Sequence, residues 1–310
     1  MVFLTPENKT PRYFRNFRKP FKLLMTKVFA ITLSLFLGIQ YCNAQFTQNR
    51  TTEFQYVQDA EFGITAGVAH YFGDLNNHFR VNRPKAAIGA FYRKQFGNYV
   101  AARLSGHYMQ LGYSDRYNTS EFERSRNLSF NTNVFELTLQ GDFNFFKFIP
   151  SDPSYAFTPY ITLGVGIFSY DPYAMLEGTK YYLRPLHTEG QTFYQNRKPY
   201  GTMALCFPIG FGFKYAFTDN LSVSMELGYR FTNTDYIDDV STTYVGIDKF
   251  PNPGGGKNVA GLLQDRSYEL GTPIGVEGRQ RGWSKQKDQY LIAEIGLALS
   301  LTSYRCPDAR

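Results

Sequence analysis

Ser105 and His107 stand two positions apart in the run from Tyr99 to Met109, and in an extended chain that spacing puts both on one face. A hydroxyl beside an imidazole is the minimal pairing of nucleophile and general base, and it would suit a lipid-modifying enzyme. The plainer reading is that the pair completes a hydrogen-bond network. Asp235, Asp238 and Asp239 form a second candidate group in TDYIDDVSTTYV, residues 234–245. Oxygen-rich clusters hold calcium, but this spacing is not that of a dedicated loop, and a solvated or salt-bridged loop cap is expected instead. The four histidines are His70, His78, His107 and His187. No metalloprotease, nucleophile-elbow or phosphate-cradling pattern surrounds any of these residues. The chain is therefore expected to be non-enzymatic, with no cofactor, metal or small-molecule substrate.

The elements that must position these residues share one pattern. In LSVSMELGYRF, residues 221–231, Leu221, Val223, Met225, Leu227, Tyr229 and Phe231 take every second place, with Glu226 and Arg230 among the residues between them. A period of two describes a strand with one apolar and one polar face. Similar segments cover 61–72, 85–96, 99–109, 134–146, 160–168, 203–217 and 290–301, so there are eight. At a tilt of about 45° such lengths cross a hydrocarbon core of about 30 Å. The connections alternate: Gly97-Asn98, 147–159 and Thr218 to Asn220 are short, whereas 73–84, 110–133, 169–202 and 232–289 are long. The prediction is an all-β fold, an eight-stranded antiparallel transmembrane β-barrel of outer-membrane type with short periplasmic turns and long extracellular loops. A soluble lipocalin-like barrel would reverse the two faces and would not need the loop asymmetry.

In such a barrel the apolar face meets lipid, and the polar face fills a lumen just wide enough for side chains. The luminal charges are then Arg93, Arg103, Lys214 and Arg230 against Glu136, Asp142, Glu226 and Glu294. Four of each sign are expected to neutralise one another, because an unpaired buried charge costs several kcal/mol. The lumen reads as a packed plug.

Composition agrees with a membrane-embedded chain. Aromatic residues make up 17% of 310, with 24 Tyr and 29 Phe against one Trp. The net charge of +7 does not imply nucleic acid: residues 1–44 carry seven basic side chains and one acid, so about +1 remains beyond them. That stretch reads as an export signal, with a basic region up to Lys27, the apolar run VFAITLSLFLGI and a small-residue site at Cys42-Asn43-Ala44. Met25 is an alternative start, since a complete signal follows it. The expected organisation is a cleaved signal at 1–44, a periplasmic segment at 45–60, the barrel at 61–304 and a periplasmic tail at 305–310, placing the protein in the cell outer membrane. Cys206 and Cys306 remain after cleavage, too far apart by strand parity to bond. Cys306 is a candidate partner contact. The tip FPNPGGGKN, residues 250–258, is a flexible loop by composition.

Several stretches resemble the PorG-like outer-membrane proteins of the type IX secretion system: GVAHYFGDLN, RNLSFNTNVFELTLQGDFNFF, LRPLHTEGQ, YRFTNTDYIDDVSTTYV, LLQDRSYE and the ending YRCP. The combination of PLHTEGQ with TDYIDDVS is the most specific. The resemblance implies an eight-stranded barrel that anchors a periplasmic ring, built by a lipoprotein and its partner, to the outer membrane. It brings no catalytic residues. Only Cys306 and the periplasmic turns gain support from it, as plausible contacts. A passive or adhesive outer-membrane barrel is the alternative.

Overall fold

In the computed structural model, residues 56–250 and 258–304 are described. Among these residues ten strands form, and eight of them close a ring. β1 (Tyr56–Phe72) pairs with β2 (Lys85–Phe96), and β2 with β3 (Val100–Ser114). β4 (Ser129–Asn144) and β5 (Phe157–Ser169) follow, then β8 (Met203–Ala216), β9 (Leu221–Thr232) and β10 (Gln289–Tyr304), which returns to β1. All of these pairings are antiparallel, so no strand of the ring has a free edge. Closure is the requirement for strands in lipid, where no water can serve an unpaired backbone group.

The remaining strands, β6 (Tyr173–Leu176) and β7 (Thr179–Tyr182), form a hairpin inside the third long loop and touch β4 at Tyr173. The alternation in the sequence predicts no strand in that loop. Its turn residues Glu177 and Gly178 have φ of 51° and 79°, the doubly left-handed geometry of a tight hairpin. β1 also begins at Tyr56, earlier than the alternation suggests, and β4 begins at Ser129.

The two faces segregate along the strands of the ring. On β8, Met203, Leu205, Phe207, Ile209, Phe211, Phe213 and Tyr215 are all exposed, while Cys206 and Lys214 between them are buried. On β4, Phe135, Leu137, Leu139 and Phe143 point out, and Glu136, Thr138, Gln140 and Asp142 point in. Large apolar side chains in this number, arranged as a continuous belt, are stable only against acyl chains. The barrel is an outer-membrane barrel, and no described helix is long and apolar enough to cross a membrane. Connections at one end are short, the tightest being at Gly97 with φ of 84°. At the other end the long loops build an extracellular cap. There Leu75, Tyr113, Phe130, Tyr170, Leu183, Ile237, Val240 and Leu263 share one buried cluster with residues from the outer ends of the strands.

Candidate functional site

The lumen is organised in three layers. Nearest the short turns, Arg93 lies between Glu61 at 2.5 Å and Asp142 at 2.7 Å. Asp142 also meets Arg103 at 3.5 Å. In the middle layer Arg103 grips Glu226 through both terminal nitrogens, at 2.6 and 3.0 Å, and the Tyr160 hydroxyl donates to the same carboxylate at 2.7 Å. Two parallel N–H···O bonds match the planar guanidinium to the carboxylate, the strongest geometry such a pair has. In the outer layer Arg230 stands 3.5 Å from Glu136, Tyr290 donates to Glu136 at 2.5 Å, and His107 bridges Glu136 and Glu294 at 3.2 and 3.3 Å.

Small residues make the room. A β-carbon on Gly228 would lie 1.8 Å from an Arg230 nitrogen, and one on Gly212 would lie 2.6 Å from the Tyr160 ring. The large luminal side chains therefore lie flat over glycines of β8 and β9.

All eight predicted luminal charges point inward and are buried. Seven of them join this network directly. Lys214 does not: among the described residues its Nζ has no ion-pair or hydrogen-bond partner and lies over the Tyr160 and Phe148 rings, at 4.7 and 5.6 Å. The expected four-against-four pairing is thus corrected. Glu61 takes the remaining place on Arg93, and His107 inserts between two acids. Glu61 opens the first alternating segment on the luminal parity, which was the signal that could have revealed it.

Ser105 and His107 do share the luminal face, but they are not coupled. Ser105 donates to Gln140 at 3.3 Å, while both His107 ring nitrogens face carboxylates. Neither nitrogen is directed at the hydroxyl, as a general base would have to be. Cys206 is buried with its Sγ 3.8 Å from Glu136. Cys306, the loop tip at 251–257, the signal at 1–44 and residues 45–55 of the segment 45–60 lie outside the described residues, and 56–60 belong to β1.

The extracellular cap is a second polar assembly. Arg126 closes on Asp115 with two bonds of 2.7 Å and also donates to the backbone carbonyls of Arg281 and Asp74. Arg281 meets Glu189 at 3.0 Å and donates to the Asp239 and Gln264 carbonyls. Glu189 in turn accepts from the Ser241 and Thr242 amides and from the Thr242 hydroxyl. Thr188 donates to Asp239, so PLHTEGQ and TDYIDDVS pack against each other.

The three aspartates of the second candidate group do not converge. Asp235 accepts from Ser241, Asp238 from the Tyr71 hydroxyl and the Val240 amide, and Asp239 from Thr188 and Tyr200. Burial pushes Asp235 up to about 7 and Asp239 up to about 6. Asp238 and Asp288 both receive Tyr71, at 2.6 and 2.8 Å, and burial, reinforced by their carboxylate neighbours, raises both well above the usual range. These are structural carboxylates inside a cap. Beside them a cavity of about 540 Å³ opens between Asp74, Asn77, Phe122, Gln280 and Trp283.

A family model described as a domain of unknown function, DUF6089, matches residues 46–247. No curated protein matches the chain. Among solved structures, Neisserial surface protein A (NspA) is 9% identical with a TM-score of 0.38, covering 80% of this chain and 99% of that one. Ail, the attachment invasion locus protein of Yersinia pestis, is 8% identical with a TM-score of 0.37, covering 79% and 100%. The outer membrane protein OprG of Pseudomonas aeruginosa is 12% identical with a TM-score of 0.34, covering 80% and 99%.

Proposed function

The chain belongs to the DUF6089 family, and from that premise we propose a non-enzymatic outer-membrane barrel, closed to solutes, that works through its surfaces, with the extracellular cap as a recognition face. The lumen carries this reading. Its charged side chains, Lys214 excepted, are paired in three layers within and across the wall, and on this reading they fill the space that a channel would need. A barrel so filled has only its ends and loops with which to act.

The cap is rigidly built around Arg126 and Arg281, and it holds Phe193, Ile247, Leu270, Val276 and Trp283 exposed beyond the strands. Exposed apolar side chains outside the lipid belt mark contact surfaces. The test displays the barrel on cells and compares parent with a Phe193→Ser/Trp283→Ala variant for attachment to other cells and to surfaces. Attachment is expected for the parent and lost in the variant, with folded barrel unchanged by heat-modified gel migration. Equal attachment would remove the cap from the proposal.

A second reading makes the barrel a component of the type IX secretion machinery that anchors a periplasmic ring. It is supported by the resemblance of PLHTEGQ and TDYIDDVS, two fragments that form one packed unit through Glu189 and Ser241. On this reading the short turns and Cys306 contact a ring lipoprotein and its partner. An affinity-tagged barrel extracted in mild detergent is then expected to carry ring proteins with it. Crosslinking from Cys306 is expected to capture one of them, and a Cys306→Ser variant that captures the same species would sink that contact.

A further inference from the structure

On the wall formed by β2, β3 and β4, the lipid belt ends at Ile88, Tyr108 and Phe135. These are register neighbours, and the Tyr108 and Phe135 rings lie 4.7 Å apart. The next outward residues, Gln110 and Asn133, are polar and exposed, so hydrocarbon stops there. From Gln110 and Asn133 outward to the Gly112–Asn131 pair is about 7 Å along the strand, or roughly 5 Å along the membrane normal at ~45° tilt. That height belongs to lipid headgroups, whose layer is only several Å thick on each side of the core.

At this height a cavity of about 420 Å³ is lined by Arg83, Lys85 and Arg116, with Tyr117, Ser129 and Asn131, and no carboxylate lines it. The three cations are held in place without an acidic partner. The guanidiniums of Arg83 and Arg116 both lie over the Tyr117 ring, 4.0 and 4.8 Å from its centre. Arg116 also donates to the Tyr117 hydroxyl at 2.5 Å. Lys85 reaches over Gly112 to donate to Asn131, and a β-carbon at Gly112 would lie 2.7 Å from the lysine nitrogen. Among the described residues none of the three cations forms an ion pair. No carboxylate lines this notch, whereas Arg126 and Arg281 in the cap and Arg93 and Arg103 in the lumen each hold one.

We propose that the notch binds a phosphate monoester at the outer-leaflet surface, with Arg83 and Arg116 gripping its oxygens and Lys85 contributing a point charge. Three like charges around one cavity repel one another, and an anion seated between them reverses that repulsion. Guanidinium groups present paired N–H donors that match phosphate oxygens, and stacking on Tyr117 fixes their planes beforehand. The ligand chemistry is shared by two sources, the phosphorylated saccharolipid headgroup of the outer leaflet and soluble phosphate. Height on the wall and the apolar belt directly beneath favour the headgroup, since its acyl chains would lie along Ile88 and Phe135.

The full mature chain in detergent micelles provides the test, with diphosphoryl lipid A, the same lipid after enzymatic dephosphorylation, and inorganic phosphate as probes. Binding of the phosphorylated lipid is expected to weaken at least tenfold in an Arg83→Gln/Arg116→Gln variant, and similarly for the parent with the dephosphorylated lipid. Lys147→Gln, which removes a half-buried cation from a short turn at the other end, is expected to change nothing. If inorganic phosphate binds alone with the same dependence on Arg83 and Arg116, the chemistry holds and the source is soluble. Equal lipid binding by parent and double variant, or an equal loss in Lys147→Gln, overturns the proposal. The double variant alters exposed residues only, and its folding is checked by heat-modified gel migration.

Discussion

The luminal residues show what a buried charge requires. Arg103 and Glu226 are each almost fully buried, and their two bonds, with Tyr160 on the same carboxylate, leave little of either group unmatched. Removing one partner strands the other. Glu226→Ala is expected to destabilise the barrel by about 3–5 kcal/mol, read as a lower urea midpoint for loss of the heat-modified band in micelles; an unchanged midpoint would mean that Arg103 finds another acceptor. The cap carboxylates give a pH dependence of definite sign. Asp235 is pushed up to about 7 and Asp74 and Asp239 to about 6, chiefly by burial, above the value of about 3.9 in an unfolded chain. The folded cap thus binds more protons than the unfolded one between about pH 4 and pH 7, so its stability falls as pH rises through that window. Around these groups stand Asp238, Asp288 and Glu189, with Arg126 and Arg281 as counter-charges. Limited proteolysis of the 233–288 loop is expected to be faster at pH 8 than at pH 5.5, and Asp235→Asn should reduce the difference. Cleavage at equal rates at both pH values would contradict this.

At the scale of strands, alternation was legible because one face of each meets lipid and the other meets charge. Where that contrast fades, legibility fades with it. β4 continues outward through Asn131 and Asn133, polar residues on the outward face, so the apolar signal stops before the strand does. The same holds for the end of β3 at Gln110 and Gly112. The β6–β7 hairpin has no lipid face at all, and only Glu177-Gly178 between aromatic runs marks it. Lys214 had the right parity but no countable partner, because parity fixes which way a side chain points and not how far it stands from others around the ring. The cation notch was invisible for a similar reason: Arg83, Lys85 and Arg116 meet only through the pairing of β2 and β3. Parity does make one firm prediction. Leu137 faces lipid and Thr138 the lumen, so Leu137→Arg is expected to cost about 2–4 kcal/mol of barrel stability near the middle of the belt. Thr138→Ala should cost clearly less. Chemical denaturation in lipid vesicles measures both, and an equal cost would mean that the outward face is not the lipid face.

For the molecule as a whole, the question is whether cap or lumen closes the barrel. Every carboxylate and every cation of the three luminal layers lies on a ring strand, from Glu61 on β1 to Glu294 on β10. None of these layers depends on a loop residue. The cap, in contrast, is knitted by contacts between loops, Arg126 to Asp115 and Arg281 to Glu189, and meets the barrel only at the outer ends of the strands, among them at Tyr71, Phe130 and Tyr290. The two assemblies are therefore separable. Replacing residues 235–286 by a short Gly-Ser turn keeps Thr232 and Asp288, whose carbonyl accepts the Thr232 hydroxyl at 2.7 Å, so β9 and β10 can still meet. The shortened chain is expected to refold in micelles with the same heat-modified shift and to show no conductance steps in a planar bilayer, because Glu136, His107 and Arg230 still cross the outer lumen. Steps appearing in the shortened barrel but not in the parent would move the seal from the ion layers to the cap, and with it the reason for reading the lumen as a plug.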